Sequence, residues 1–263
     1  MKKQTSFLLL TVLLSPILFG WTIVEDKWIV EKQNGYSLYY TTLDKQNIVE
    51  YKAYFEAGKR TVEEFFQSSY KNDFNIYIHP SRSSLDRAWQ KDWNMPNFKS
   101  QCWMVASGVA NKLDIISPKL WDSLACEHVY SNTNKTQNLI IHELVHVFHG
   151  QQNISPDFSD VSGIDWFVEG LATCASGQCD SIRILEVQKA LLENEIPVTL
   201  KKFWTGNLRY GLSGTVVMYL DNKYGREKLT SLLKYNTIEE VLNSLETTES
   251  EIMNEWKKYI KEL

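Results

Sequence analysis

The pentapeptide His142-Glu143-Leu144-Val145-His146, set in the apolar run from Leu139 to Gly150, decides how the rest of this chain is read. A helix turns about 100° per residue, so histidines four apart share a face and can meet one metal ion. Glu143 falls about a quarter-turn from His142, beside the metal, where a base acting on water must stand. This is H-E-x-x-H, the pattern of two zinc ligands and a general base. Leu139, Ile140, Ile141, Leu144, Val145, Val147 and Phe148 cover nearly every other side of the helix, and Gly150 is expected as its stop. Two ordinary core histidines would leave the neighbouring glutamate buried without a partner, which is costly.

Catalytic zinc sites take three protein ligands and keep a fourth position open. The metzincin continuation fails: residue 149 is His instead of Gly, and residue 152 is Gln instead of the third His. The better candidate is Glu169 in Trp166-Phe167-Val168-Glu169-Gly170-Leu171-Ala172. A glutamate in so apolar a stretch is expensive to bury without a cation. Gly170 and Ala172 are small enough to let this helix approach the motif helix. The competing reading pairs Glu169 with a basic residue.

His-Glu-Leu-Val-His followed by Phe-Val-Glu-Gly-Leu-Ala resembles the gluzincin metallopeptidases, in particular the peptidase MA-like domains, across roughly residues 74–225. The resemblance implies a zincin-like fold, one zinc ion on His142, His146 and Glu169, and Glu143 as general base. It further implies that Tyr210 steadies an oxyanion and that the strand Ser107-Gly108-Val109-Ala110 accepts an extended peptide by edge pairing. A rim or core tyrosine and a plain structural strand are the competing readings of those two. His149 is expected to pack or to touch a ligand instead of coordinating. Asp165 or Thr173 is expected to hold a ligand histidine by hydrogen bond. His79 and His128 are read as surface or loop histidines.

The pattern before the motif mixes strands and helices: strands at 36–42, 74–79, 102–110 and 113–116, a long helix at 44–69 or two helices broken at Gly58, and a short helix capped by Ser81 or Ser84. After it, helices are expected at 162–176, 181–194, 209–223, 226–234, 237–245 and 248–262, with Ser162, Asp180 and Thr248 near their starts. An α+β protein follows, with a small mixed sheet in an N-terminal lobe reaching about residue 150 and an all-helical lobe over 151–263.

The 263 residues fit one domain, and a net charge of -4 without a basic stripe argues against nucleic acid as partner. Lys2 and Lys3 precede an uncharged run from Phe7 to Val24, so residues 1–24 read as an export signal or an uncleaved anchor, the latter being the one route to a membrane, with a buried N-terminal helix as the competing reading. The four cysteines then favour local disulfides, Cys102 with Cys126 and Cys174 with Cys179. The expected protein is an exported, zinc-dependent peptidase acting on a peptide or protein. The alternatives are a non-catalytic domain that keeps the fold and a zinc hydrolase of another amide or ester bond. Oligomeric state is not legible in the sequence.

Overall fold

The computed structural model describes residues 26–263, so the N-terminal run expected to direct export lies outside the described residues. The chain opens with β1 (Ile29–Lys32) and β2 (Tyr36–Tyr40), then α1 (Ile48–Phe66), β3 (Phe74–His79) and α2 (Arg82–Asp92). The strands β4 (Ala106–Val109) and β5 (Lys112–Ile116) and the single turn α3 (Trp121–Leu124) lead to the motif helix α4 (Thr133–Gln152). The rest is helical: α5 (Asp165–Ala175), α6 (Ser181–Leu192), α7 (Arg209–Tyr224), α8 (Arg226–Ser231), α9 (Ile238–Ser244) and α10 (Glu249–Glu262). The protein is therefore a mixed α+β molecule, with one five-stranded sheet in the order β1-β2-β3-β5-β4 among the described residues.

The sheet's two inner pairings, β2 with β3 and β3 with β5, are parallel, and both edge strands run antiparallel to their neighbours. Parallel neighbours need a crossover, which α1 and α2 provide. Alternation sorts the faces: Tyr36, Leu38 and Tyr40 of β2 and Phe74, Ile76 and Ile78 of β3 are buried toward the helices. On the opposite face Tyr39 stacks on Tyr77 with ring centres 4.4 Å apart. One apolar core continues from these strands through α1 and α4 into the C-terminal helices.

Several local expectations are corrected. The break at Gly58 is not made: of the two readings of 44–69 the long helix holds, α1 running unbroken for 19 residues, and the bare α-carbon of Gly58 lets α4 close in, since a Cβ there would sit 2.8 Å from Leu144 Cδ1. Nor does Gly150 end α4, which continues to Gln152. A side chain at Gly150 would strike the Pro156 carbonyl and the Ala110 amide, both 2.7 Å from an added Cβ, so its role there is close approach. β1 was not foreseen; with only four residues alternating between half-buried and exposed, it carries no apolar signal. Residues 102–105 are not strand, because Cys102 is tied to Cys126 with Cα atoms 5.5 Å apart and β4 starts only at Ala106. Ser162 does not cap α5: it forms an isolated bridge to Thr237, and Ile164 holds the cap position.

The second expected disulfide is absent. Cys174 and Cys179 are free thiols facing α7, with Cys179 against Gly214. Burial raises the Cys174 thiol to about 12 and that of Cys179 to about 11, so both stay protonated. Other expected caps hold: Ser81 accepts from Ser84, Asp180 from Arg183, and Thr248 forms a capping box with Glu251.

Candidate metal centre

The helix α4 begins on an Asn132 cap and is enclosed by α1, β4 and α5. Its burial forces order on the motif: Leu144, Val145, Val147 and Phe148 are fully buried, so His142, Glu143 and His146 have one remaining side to face, the cleft. β4 passes so near that a Cβ on Gly108 would lie 2.2 Å from the Glu143 carbonyl oxygen. Only glycine permits that approach.

Glu169, in the second turn of α5, arrives from the other side. Its Oε2 lies 3.3 Å from His142 Nε2 and 3.6 Å from His146 Nε2, and the two Nε2 atoms are 3.1 Å apart. For a tetrahedral ion with ligands at about 2.0–2.1 Å, ligand atoms sit about 3.3–3.4 Å from one another, so this triangle has the size of one face of such a polyhedron. His142, His146 and Glu169 thus form a group that can hold a metal ion. The tautomer agrees. His142 Nδ1 faces Gln178 Oε1 at 3.1 Å, an N–H donating to an amide oxygen, which leaves the Nε2 lone pair directed at the other two ligand atoms.

Gly170 contributes differently from expectation. An added Cβ would meet the Ser213 carbonyl oxygen on α7 at 2.4 Å, so this glycine brings α5 close to α7, not α4. Among the described residues the α5–α7 pair is the most extensive helix contact, and it anchors the helix that carries Glu169.

Electrostatics couple the three groups. Burial pushes the Glu169 carboxyl up, but the imidazoles of His146 and His142 outweigh it and hold the group well below the usual carboxylate range. Burial raises Glu143, against the pull of the His142 and His146 rings and the Gly108 amide, leaving it above its ordinary value. Tyr210, in the first turn of α7, has its ring centre 6.5 Å from that of His142. Its hydroxyl is raised by burial and by Glu169, against the nearby Arg209.

A cleft of about 460 Å³ opens over this group, lined by Met104 to Ala106, His142, Glu143, Gln178 and Tyr210 among others. The strand β4 forms the sheet's edge along it.

The other expectations divide. His149 packs, as read: its ring lies 5.1 Å from that of Phe158 and its Nε2 donates to the Leu233 carbonyl. Burial and neighbouring His146 lower it to about 3, so the ring is neutral. Neither Asp165 nor Thr173 holds a ligand histidine: Asp165 is exposed and the Thr173 hydroxyl donates to the Glu169 carbonyl. Gln178 takes that place, from the turn after α5, and no sequence signal marked it. His128 lies in a loop, as expected, with Nε2 on the Trp103 carbonyl. His79 does not lie at the surface: it is 3% exposed, between Ser84 and Asp114.

Comparison with protein families finds no matching family model, and comparison with curated proteins finds no match. The class the geometry defines is accordingly an α+β protein with a His-His-Glu group able to hold a metal ion.

Proposed function

We propose that this chain is an exported, zinc-dependent peptidase of the gluzincin kind, built on a zincin-like fold. The observation that carries the reading is the convergence of His142, His146 and Glu169 on one point, with Glu143 beside them at the floor of an open cleft. Two imidazoles and one carboxylate leave a fourth position for water, the composition of a catalytic zinc site.

A zinc ion there would lower the pKa of coordinated water to about 7 and polarise a carbonyl. The protein's own residues do the rest. Glu143, with its pKa raised by burial, takes a proton at its carboxylate oxygen and returns it to the departing amine nitrogen. Tyr210 donates a hydrogen bond from its hydroxyl to the carbonyl oxygen as negative charge develops, keeping its own proton. Gln178 fixes the His142 ring. The free edge of β4 offers backbone N–H and C=O groups to an extended peptide. The Cys102–Cys126 link supports export into an oxidising compartment. Among the described residues no helix is long and apolar enough to cross a membrane.

Metal analysis and a cleavage screen test the reading together. About one zinc per chain is expected in the purified protein and is lost in His142→Ala and in Glu169→Ala. Cleavage of casein or of a peptide library is expected from the wild type and not from Glu143→Gln. A zinc-loaded wild type that cuts no bond spared by Glu143→Gln removes the peptidase reading.

A further inference from the structure

Two guanidiniums, one lining the cleft and one packed on residues that line it, are not used by the proposed chemistry. Arg183, in the first turn of α6, lines the cleft, and its Cζ lies 4.7 Å from the centre of the Tyr210 ring. The Cζ of Arg209, the residue before Tyr210, is 5.0 Å from the same centre and within 5.7 Å of the rings of Trp103 and Trp204. Packing on aromatic rings fixes where a guanidinium lies and leaves N–H groups for a partner in its own plane.

Those partners are missing. Among the described residues neither arginine forms an ion pair, although Asp180 and Glu186 line the same cleft. Besides its approach to the Tyr210 hydroxyl, Arg209 makes one long side-chain contact, Nη1 to the Gly206 carbonyl at 3.5 Å. Arg183 Nη1 is buried with no acceptor at all. A buried, charged donor without an acceptor is costly, and native structures leave few of them. The fork of a guanidinium matches a planar, two-oxygen anion, which among groups found on peptides is a carboxylate.

We infer that Arg183, assisted by Arg209, forms a subsite that selects peptides bearing a carboxylate near the bond to be cut. This rests on the peptidase reading above. The Tyr210 ring links the two sites: Arg183 Cζ stands no more than about 11 Å from the His142 ring centre, roughly three residues of extended chain. The carboxylate is either a free C-terminus or an aspartate or glutamate side chain within that reach.

The test uses acetylated pentaalanine with a free C-terminus, its C-terminal amide, and amides carrying glutamate or glutamine at each position in turn. Affinities are measured calorimetrically on zinc-loaded Glu143→Gln protein and cleavage rates on the wild type. A carboxylate peptide is expected to bind about 10- to 100-fold more tightly than its amide or glutamine twin, the effect of a charge-assisted hydrogen bond. Adding Arg183→Met should erase that ratio, Arg183→Lys should keep part of it, and Arg209→Met should reduce it. Preference for the free acid alone assigns the C-terminus; preference for glutamate peptides assigns the side chain. Equal affinity of the twins, no measurable binding, or a ratio that survives Arg183→Met overturns the subsite. A binding preference without cleavage leaves the subsite standing and removes the peptidase, whereas equal cleavage of the twins does the reverse.

Discussion

Among the described residues two clusters of histidine and carboxylate are opposites. At the end of β3, His79 has a partner for each ring nitrogen: Ser84 Oγ on Nδ1 and Asp114 Oδ1 on Nε2, both at 2.9 Å. The second oxygen of Asp114 meets Lys112 Nζ at 2.7 Å. Each of these contacts pairs one donor with one acceptor, and the cluster lies away from the cleft. Beside the cleft, which His142 lines, His142, His146 and Glu169 bring three ligand atoms within 3.6 Å of one another, with Gln178 already holding the outer nitrogen of His142. Contact between histidine and carboxylate is therefore not the mark of a site. Ligand atoms of three side chains that converge on one point are.

The comparison breaks if the clusters respond alike to substitution, and the largest difference is expected in turnover. Glu143→Gln should lower peptide hydrolysis by about 10²- to 10⁴-fold at unchanged zinc content, the usual contribution of a general base. Asp114→Asn should leave turnover per folded molecule unchanged. Initial rates on a quenched peptide, normalised to folded protein by circular dichroism, measure both. An Asp114 variant that loses activity while folded would place the two clusters in one network.

Stability is expected to show the reverse. Removing Asp114 strands His79 inside the protein and leaves Lys112 with Asp92 alone, a loss of about 3–5 kcal/mol. Glu169→Ala, made without zinc, removes a carboxylate that the His146 and His142 imidazoles hold low, but Glu169 is only partly buried, so the melting temperature should fall less than in the Asp114 variant. The pH dependence sharpens this. Burial pushes the Asp114 carboxyl up, but His79 and Lys112 overcome it and leave its folded pKa below the ordinary 3.8. A depressed carboxylate stabilises the fold above its unfolded pKa, and that contribution fades as pH falls through the lower folded value. The wild type should lose stability on acidification below about pH 4, and Asp114→Asn should flatten that limb of a urea-unfolding series.

Much of the site was legible because its residues share local periodicity. His142, Glu143 and His146 lie on one helix, and the cost of burying a glutamate flagged Glu169 in an equally apolar one. The boundaries of β3, α6, α7 and α10 also followed from alternation, caps and period. What escaped depends on contacts between distant segments. Gly58 and Gly150 look like breaks in one dimension and serve as close contacts in three. His79 carries no motif, since its partner Asp114 is 35 residues away. Cys174 and Cys179 are near neighbours in sequence, but each packs toward α7. Gln178 bonds a histidine 36 residues earlier, which no spacing rule reports.

Gln178 therefore gives the smallest and most discriminating prediction. If orientation of His142 is what separates the open cluster from the closed one, Gln178→Ala should weaken zinc binding by about 10- to 100-fold, the usual cost of losing a partner that orients a metal-ligating histidine. Thr173→Val, which removes the residue expected from spacing to do this, should leave zinc affinity unchanged, since its hydroxyl serves the Glu169 carbonyl. Competition against a chelator of known affinity measures both variants. Gln178→Glu sharpens the result further: a carboxylate at that position still accepts from Nδ1, so affinity should return to the wild-type level or above it. Equal losses in Gln178→Ala and Gln178→Glu would mean that the turn after α5 acts through its shape, and that the tautomer of His142 is set elsewhere.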